Sequence, residues 1–176
     1  LIFYGDIGTP REVTSKMRDG RLISGGKGLN NRRGTHVPLI VNWPGSQAGG
    51  RVVSDLVDTT DFIPTLLEAA SIPLPKNEIF DGRSFLPEVK GEKGNPRDWV
   101  FIHHDPLPGH NKIGRSLSRW IQDKQYQLFD ETGHHQFFDY TADPELLHPI
   151  DLRNANDETK AAHAKLKRAI ATMQND

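Results

Sequence analysis

Gly25-Gly26-Lys27-Gly28-Leu29-Asn30-Asn31-Arg32-Arg33-Gly34-Thr35-His36-Val37-Pro38-Leu39-Ile40-Val41-Asn42-Trp43-Pro44-Gly45 is the stretch that decides the fold. Its first part, Gly25 to Gly34, holds four glycines, two arginines and a lysine, so it cannot bury an apolar face and reads as a loop. From Val37 to Val41 the chain is almost uninterruptedly apolar, and it then stops at Trp43-Pro44-Gly45. That is the pattern of a strand covered on both faces. A glycine-rich loop that carries one lysine and is anchored by a buried strand can aim an ammonium at an anion, because glycine lets backbone approach closely. The same residues also suit a solvated surface loop, and spacing alone does not choose between the two.

Composition narrows the field. A chain of 176 residues is long enough for one compact domain. Lys+Arg 22 against Asp+Glu 23 leaves no basic excess for nucleic acid and no polybasic patch for a membrane surface. No apolar run approaches the ~20 residues of a membrane helix. Gly 16 and Pro 12 make the chain loop-rich, and Cys 0 removes disulfides and thiol chemistry from these residues.

Outward from the loop, Leu1-Ile2-Phe3-Tyr4 reads as a short strand ended by Gly5-Asp6-Ile7-Gly8. An aspartate just past a strand end in an open α/β sheet is placed to bind a cation, and it is equally an ordinary turn residue. Thr9 to Asp19 reads as a surface loop with a helical turn, and Arg21-Leu22-Ile23-Ser24 as a short strand. Arg32 and Arg33 read as solvated, and His36 as structural.

On the other side, a helix is expected from Thr59 or Thr60, either of which can cap it, with Pro64 tolerated in its first turn. Ile63, Leu66, Leu67 and Ala70 follow i, i+3, i+4, i+7, which predicts a buried face. Ser71 to Lys93 reads as a connector, with a boundary near Lys90-Gly91. Trp99 to His104 is strand-like. His103-His104-Asp105 and His110 suggest a metal cluster, but neighbours on a strand point to opposite faces, so zinc is not expected there or at His134-His135. One of His103 or His104 is expected to line a pocket with the loop from Asp105 to Lys112. Gly114 to Phe129 and Gln136 to Tyr140 have the rhythm of an antiparallel meander turning at Glu131-Thr132-Gly133. Asp157 to Met173 reads as a helix with Ala162, Leu166, Ala169, Ile170 and Met173 on one face.

Several motifs carry a family resemblance. The run G-G-K-G, then G-T-H-V-P-L-I-V-x-W-P-G, resembles the sulfatase (arylsulfatase) family of the alkaline-phosphatase-like superfamily. So do Gly5-Asp6-Ile7-Gly8-Thr9, the D-x-x-P-T-L-L segment from Asp61, Asp81-Gly82-Arg83-Ser84-Phe85-Leu86-Pro87 and, more loosely, Phe138-Asp139-Tyr140-Thr141-Ala142-Asp143-Pro144-Glu145. The resemblance covers the C-terminal part of a sulfatase only. It implies an α/β fold, with residues 1–90 as C-terminal strands and helix of the alkaline-phosphatase-like core and 91–176 as a small antiparallel-sheet subdomain with a packed helix.

It further implies sulfuric ester hydrolysis, with Lys27 as the catalytic, sulfate-binding lysine and Asp6 as a ligand of Ca²⁺ or Mg²⁺. His103 and His104 are the substrate-lining candidates. Ile7 stands where the family has Asn or His. The family's formylglycine arises from Cys/Ser-x-Pro-x-Arg, and the nearest match, Ser71-Ile72-Pro73-Leu74-Pro75, has proline in place of the arginine. The nucleophile and the paired metal aspartates are therefore expected in an N-terminal catalytic part of the same protein, and these residues by themselves are expected to be inactive. The implied partner is a sulfated small molecule or glycan, in a periplasmic or secreted setting. The alternatives are a phosphatase or phosphodiesterase of the same superfamily, or a non-catalytic binding module.

Overall fold

In the computed structural model, residues 1–44, 49–107, 117–131 and 134–173 are described. The alternating pattern beyond Trp99 produces the largest layer. β5 (Val100–His104), β6 (Ser118–Gln122), β7 (Tyr126–Glu131) and β8 (His134–Asp139) form a four-stranded antiparallel sheet in that order. The register pairs Ile121 with Leu128 and Leu128 with Phe137, so these side chains share one face. Against that face packs α4 (Asp157–Thr172), which buries Leu166 and Ile170, with Ala162 and Ala169 beside them. Complete burial of a leucine such as Leu166 stabilises by roughly 1.5–3 kcal/mol. The helix starts because the Asn156 side chain accepts from Thr159 N at 2.8 Å, with Asp157 and Glu158 in its first turn. The opposite sheet face carries Trp120, Phe129 and Phe138, with Ile102 and Leu146 against them.

The first residues form an antiparallel ribbon. β1 (Ile2–Tyr4) pairs with the strand Leu39–Val41, and the ladder runs on through Gly5 N to Pro38 O (3.0 Å) and Gly8 N to Gly34 O (3.2 Å). These strands are not covered on both faces as the apolar run suggested: Phe3 is 56% and Ile40 60% exposed. The segment expected to be a surface loop instead contains β2 (Thr14–Lys16), hairpin partner of β3 (Leu22–Ser24). Its turn is closed by Gly20 at φ +86°, where Asp19 accepts from the backbone and side chain of Arg21. Strands of composition T-S-K and L-I-S show no clear alternation, so periodicity could not reveal the hairpin. A single turn of helix, α1 (Arg32–Thr35), leads into β4, the Leu39–Val41 strand.

The segment from Asp58 is built around one buried carboxylate. Asp58, not a threonine, caps the 3-10 turn Thr59–Asp61 that opens into α2 (Phe62–Ala69), and Asp61 returns the bond by accepting from Asp58 N at 2.7 Å. Asp61, 2% exposed, also accepts from Arg83 N at 2.7 Å and is paired through both oxygens with Arg97. Phe85 N donates to Thr65 Oγ1 at 3.0 Å, and Gly82 lies so close to Thr60 O that a Cβ there would sit 2.0 Å from it. The two motif segments thus dock on each other. This anchor turns Pro64 and Thr65 inward, and the expected apolar face is the exposed one, with Ile63 at 57% and Leu66 at 53%.

α3 (Leu86–Lys90) ends at Gly91 in the left-handed region. Contacts then cross the Lys90-Gly91 region freely, including the Leu56–Arg97 bridge, Asp61–Arg97 and Lys124–Asp55. Among the described residues no helix is long and apolar enough to cross a membrane.

Candidate functional site

Lys27 sits in the turn that follows β3, and backbone contacts fix that turn on two sides. Lys27 N donates to Thr9 O at 2.9 Å, and Gly25 N to Val13 O at 2.8 Å. Arg11 closes over the turn from outside, its Nε donating to Lys27 O (2.9 Å) and its Nη2 to Gly28 O (3.2 Å). The glycines have separate tasks. A Cβ on Gly25 would lie 2.0 Å from Pro10 O, and one on Gly26 would lie 2.3 Å from the Arg33 Cβ, so both are close-approach positions. Gly28 instead supplies a φ of +76°. The Lys27 side chain is exposed, and its ammonium has no hydrogen-bond partner among the described residues.

Asp6 is exposed just past β1, three residues before the Thr9 carbonyl that holds Lys27. The structure therefore brings the two segments together through backbone, with Gly8 pressed on Arg33: a Cβ there would meet Arg33 O at 2.4 Å. Ile7 is 48% exposed and does not pack into the core. Among the described residues no three His, Asp or Glu side chains are grouped to hold a metal ion. A hard cation such as Ca²⁺ takes ~6–8 oxygen ligands, and Asp6 offers one carboxylate with an isoleucine beside it. The described residues do not by themselves make a cation site.

His103 and His104 lie on opposite faces of β5, as their adjacency requires. His103 is exposed on the α4 side, opposite Arg119. His104 is half-buried on the other face, its ring edge-on to Trp120 at 6.5 Å, and is paired in register with Ser118. Ser118 Oγ accepts from Asn30 Nδ2 at 3.2 Å, and Gln127 Nε2 donates to Asn30 O at 2.8 Å. The lysine loop thus rests on the sheet face that carries His104 and not on the one that carries His103. His110 and the rest of the loop beyond Leu107 lie outside the described residues, as does the turn at Thr132-Gly133. Ser71, in the nearest match to a nucleophile motif, is the left-handed residue ending α2 (φ +58°), its N–H bonded to Glu68 O. It caps a helix.

The arginines expected to be solvated are engaged. Arg32 lies over the Tyr140 ring (5.3 Å) and donates from Nη2 to His36 Nδ1 at 2.9 Å. Burial, and then the Arg32 charge, hold His36 below the usual imidazole range, which keeps Nδ1 free to accept. Burial pushes the Tyr140 phenol up to about 12, so it stays protonated and donates to Asp123 O. Arg33 is ion-paired with Glu145, whose Oε2 also accepts from Asn31 Nδ2 at 3.3 Å. Local reading could not find Glu145, because it is 112 residues from Arg33. The only trace was Glu145 itself, last in the stretch Phe138 to Glu145 that carries the looser family resemblance.

Comparison with known proteins follows the same lines. The family model described as N-sulphoglucosamine sulphohydrolase, C-terminal, matches residues 27–176. Steryl-sulfatase of Homo sapiens is 34% identical over 109 residues, 59% of this chain and 18% of its own length. N-acetylglucosamine-6-O-sulfatase of Bacteroides thetaiotaomicron is 26% identical over 118 residues, 65% of this chain and 21% of its own length. The chain therefore spans about a fifth of each of these relatives. In three dimensions it superposes on a protein solved in complex with its substrate D-glucosamine-2-N,6-O-disulfate, with a TM-score of 0.70 at 18% identity, covering 99% of this chain and 33% of that one.

Proposed function

This chain belongs to the N-sulphoglucosamine sulphohydrolase C-terminal family, and from that membership we propose that it supplies the sulfate-neutralising part of a sulfuric ester hydrolase. The observation that carries the reading is Lys27: an exposed ammonium, without a partner among the described residues, on a turn whose backbone is held by Thr9 and Arg11. A backbone held in place before substrate arrives fixes where the lysine stem starts, so its ammonium can reach the sulfate oxygens as negative charge builds on them, which is where such a group lowers a barrier. Asp6 is proposed as one ligand of a divalent cation, Ca²⁺ or Mg²⁺, and the formylglycine nucleophile as a group from elsewhere in the protein. His104, on the loop side of the sheet, is proposed to line the substrate pocket in preference to His103.

The proposed substrate class is a sulfate ester on a small molecule or a glycan. The substrate in the solved relative and the name of the Bacteroides relative support the glycan side. The test is Lys27→Ala in the full-length protein with an aryl sulfate and an aryl phosphate as substrates. Loss of a contact that strengthens in the transition state costs roughly 3 kcal/mol, so kcat/KM for the sulfate is expected to fall ~10²-fold. Unchanged kcat/KM would leave Lys27 a solvated loop residue. Faster turnover of the phosphate would assign the chemistry to phosphoryl transfer.

A further inference from the structure

The contact that ties the lysine loop to the far end of the chain is at Arg33. We propose that Glu145 is a positioning residue for Lys27, acting through Arg33; this rests on the reading of Lys27 given above. Arg33 occupies the crossing of the two segments that carry the site residues. Its Cβ faces Gly26, which precedes Lys27, and its carbonyl faces Gly8, two residues after Asp6. Its Nη1 reaches Ser24 O, at the end of β3, at 3.4 Å. Arg33 is therefore the spacer that sets how far the lysine turn stands from the aspartate turn, and no alanine-sized group fits on either glycine facing it.

What holds the spacer is the carboxylate of Glu145, from the segment after β8. It binds Arg33 Nη2 and, through the same oxygen, Asn31 Nδ2; Asn31 in turn caps α1 by accepting from Arg33 N at 3.1 Å. The ring of contacts Glu145–Asn31–Arg33–Glu145 closes on itself. The Arg33 Nε is buried and has no partner among the described residues, so the partly exposed Glu145 carboxylate is the one negative charge paired with this half-buried cation among them, beside the Ser24 carbonyl. A cation that loses such a partner moves towards water, and here that movement would carry the Gly26 wall with it. The loop keeps its separate anchor at Asn30, Gln127 and Ser118, so the sheet and α4 need not change.

The experiment is a double-mutant cycle in the full-length protein on an aryl sulfate, with thermal unfolding recorded for each variant. Glu145→Gln is expected to lower kcat by between about 10- and about 100-fold with KM changed less than about threefold, the signature of a misplaced group acting in the transition state. In the Lys27→Ala background the same change is expected to cost less than about twofold more, because its effect runs through Lys27. An equal loss in both backgrounds overturns the proposal, since that is a general effect on the fold. No loss, with Lys27→Ala still impaired, overturns it as well and leaves the reading of Lys27 standing. Full activity of Lys27→Ala overturns both. Glu145→Asp, which keeps the charge on a shorter stem, provides the same cycle should the glutamine variant fail to fold: a partial loss confined to the Lys27 background supports the proposal, and a loss independent of Lys27 overturns it.

Discussion

At the scale of the residue, Gly26 and Gly28 flank Lys27 and are glycines for different reasons. Gly26 has no room: an added Cβ would lie 2.3 Å from a side-chain carbon and 2.4 Å from a backbone carbon of Arg33. Gly28 has room, since the nearest atom to its added Cβ is the end of the flexible Arg11 side chain at 3.5 Å, but its φ is +76°. Overpacking costs about 1–3 kcal/mol, whereas a left-handed backbone costs an alanine about 1–2 kcal/mol. Urea unfolding is therefore expected to give a lower midpoint for Gly26→Ala than for Gly28→Ala, and the reverse order would show that Arg33 yields easily. The need for glycine around the lysine was legible in the sequence. Which glycine serves contact and which serves conformation was not, because the atoms that crowd Gly26 belong to a residue met later in the chain.

At the scale of the element, the buried pair Asp61–Arg97 explains why α2 faces as it does. Its carboxylate takes two backbone N–H groups and both ends of a guanidinium, whose side chain is itself 9% exposed. Removing one charge from such a pair leaves the other uncompensated, which costs about 3–5 kcal/mol. Asp61→Asn is expected to lower the stability of the chain by that order in denaturant unfolding, and a loss below about 1 kcal/mol would show that the amide replaces the carboxylate. Periodicity identified α2 and its apolar stripe but assigned the stripe to the interior. A hydrophobic stripe says which residues gain from burial. It does not say which partner is present, and here an ionic anchor faces the other way. For α4 and the β5–β8 meander the same signal pointed inward correctly, because each supplies the other's apolar partner and both lie close together in sequence. Asp61 itself was read only as part of a motif, although it is the residue about which that motif is arranged.

At the scale of the whole molecule, the sequence reading set a boundary near Lys90-Gly91. What it could not indicate is how much of the lysine loop is defined from beyond that point. Asn30 is bonded to Ser118 and Gln127 across separations of 88 and 97 residues, and Arg33 to Glu145 across 112. Contacts between residues so distant are made late, since the chain between them must be ordered before they return any stability. The turn that holds Lys27 is therefore expected to acquire its final shape late, once the segments that bond Asn30 and Arg33 are in place. Pulse-labelling by hydrogen exchange during refolding would time this: protection at the Lys27 amide is expected to appear only after protection in β6, β7 and β8. Earlier protection would mean that Thr9 and Arg11 shape the turn unaided. If the order holds, the loop that carries the proposed sulfate-neutralising lysine takes its shape only after the antiparallel sheet has closed, so the proposed charge neutralisation would arrive with the completed fold.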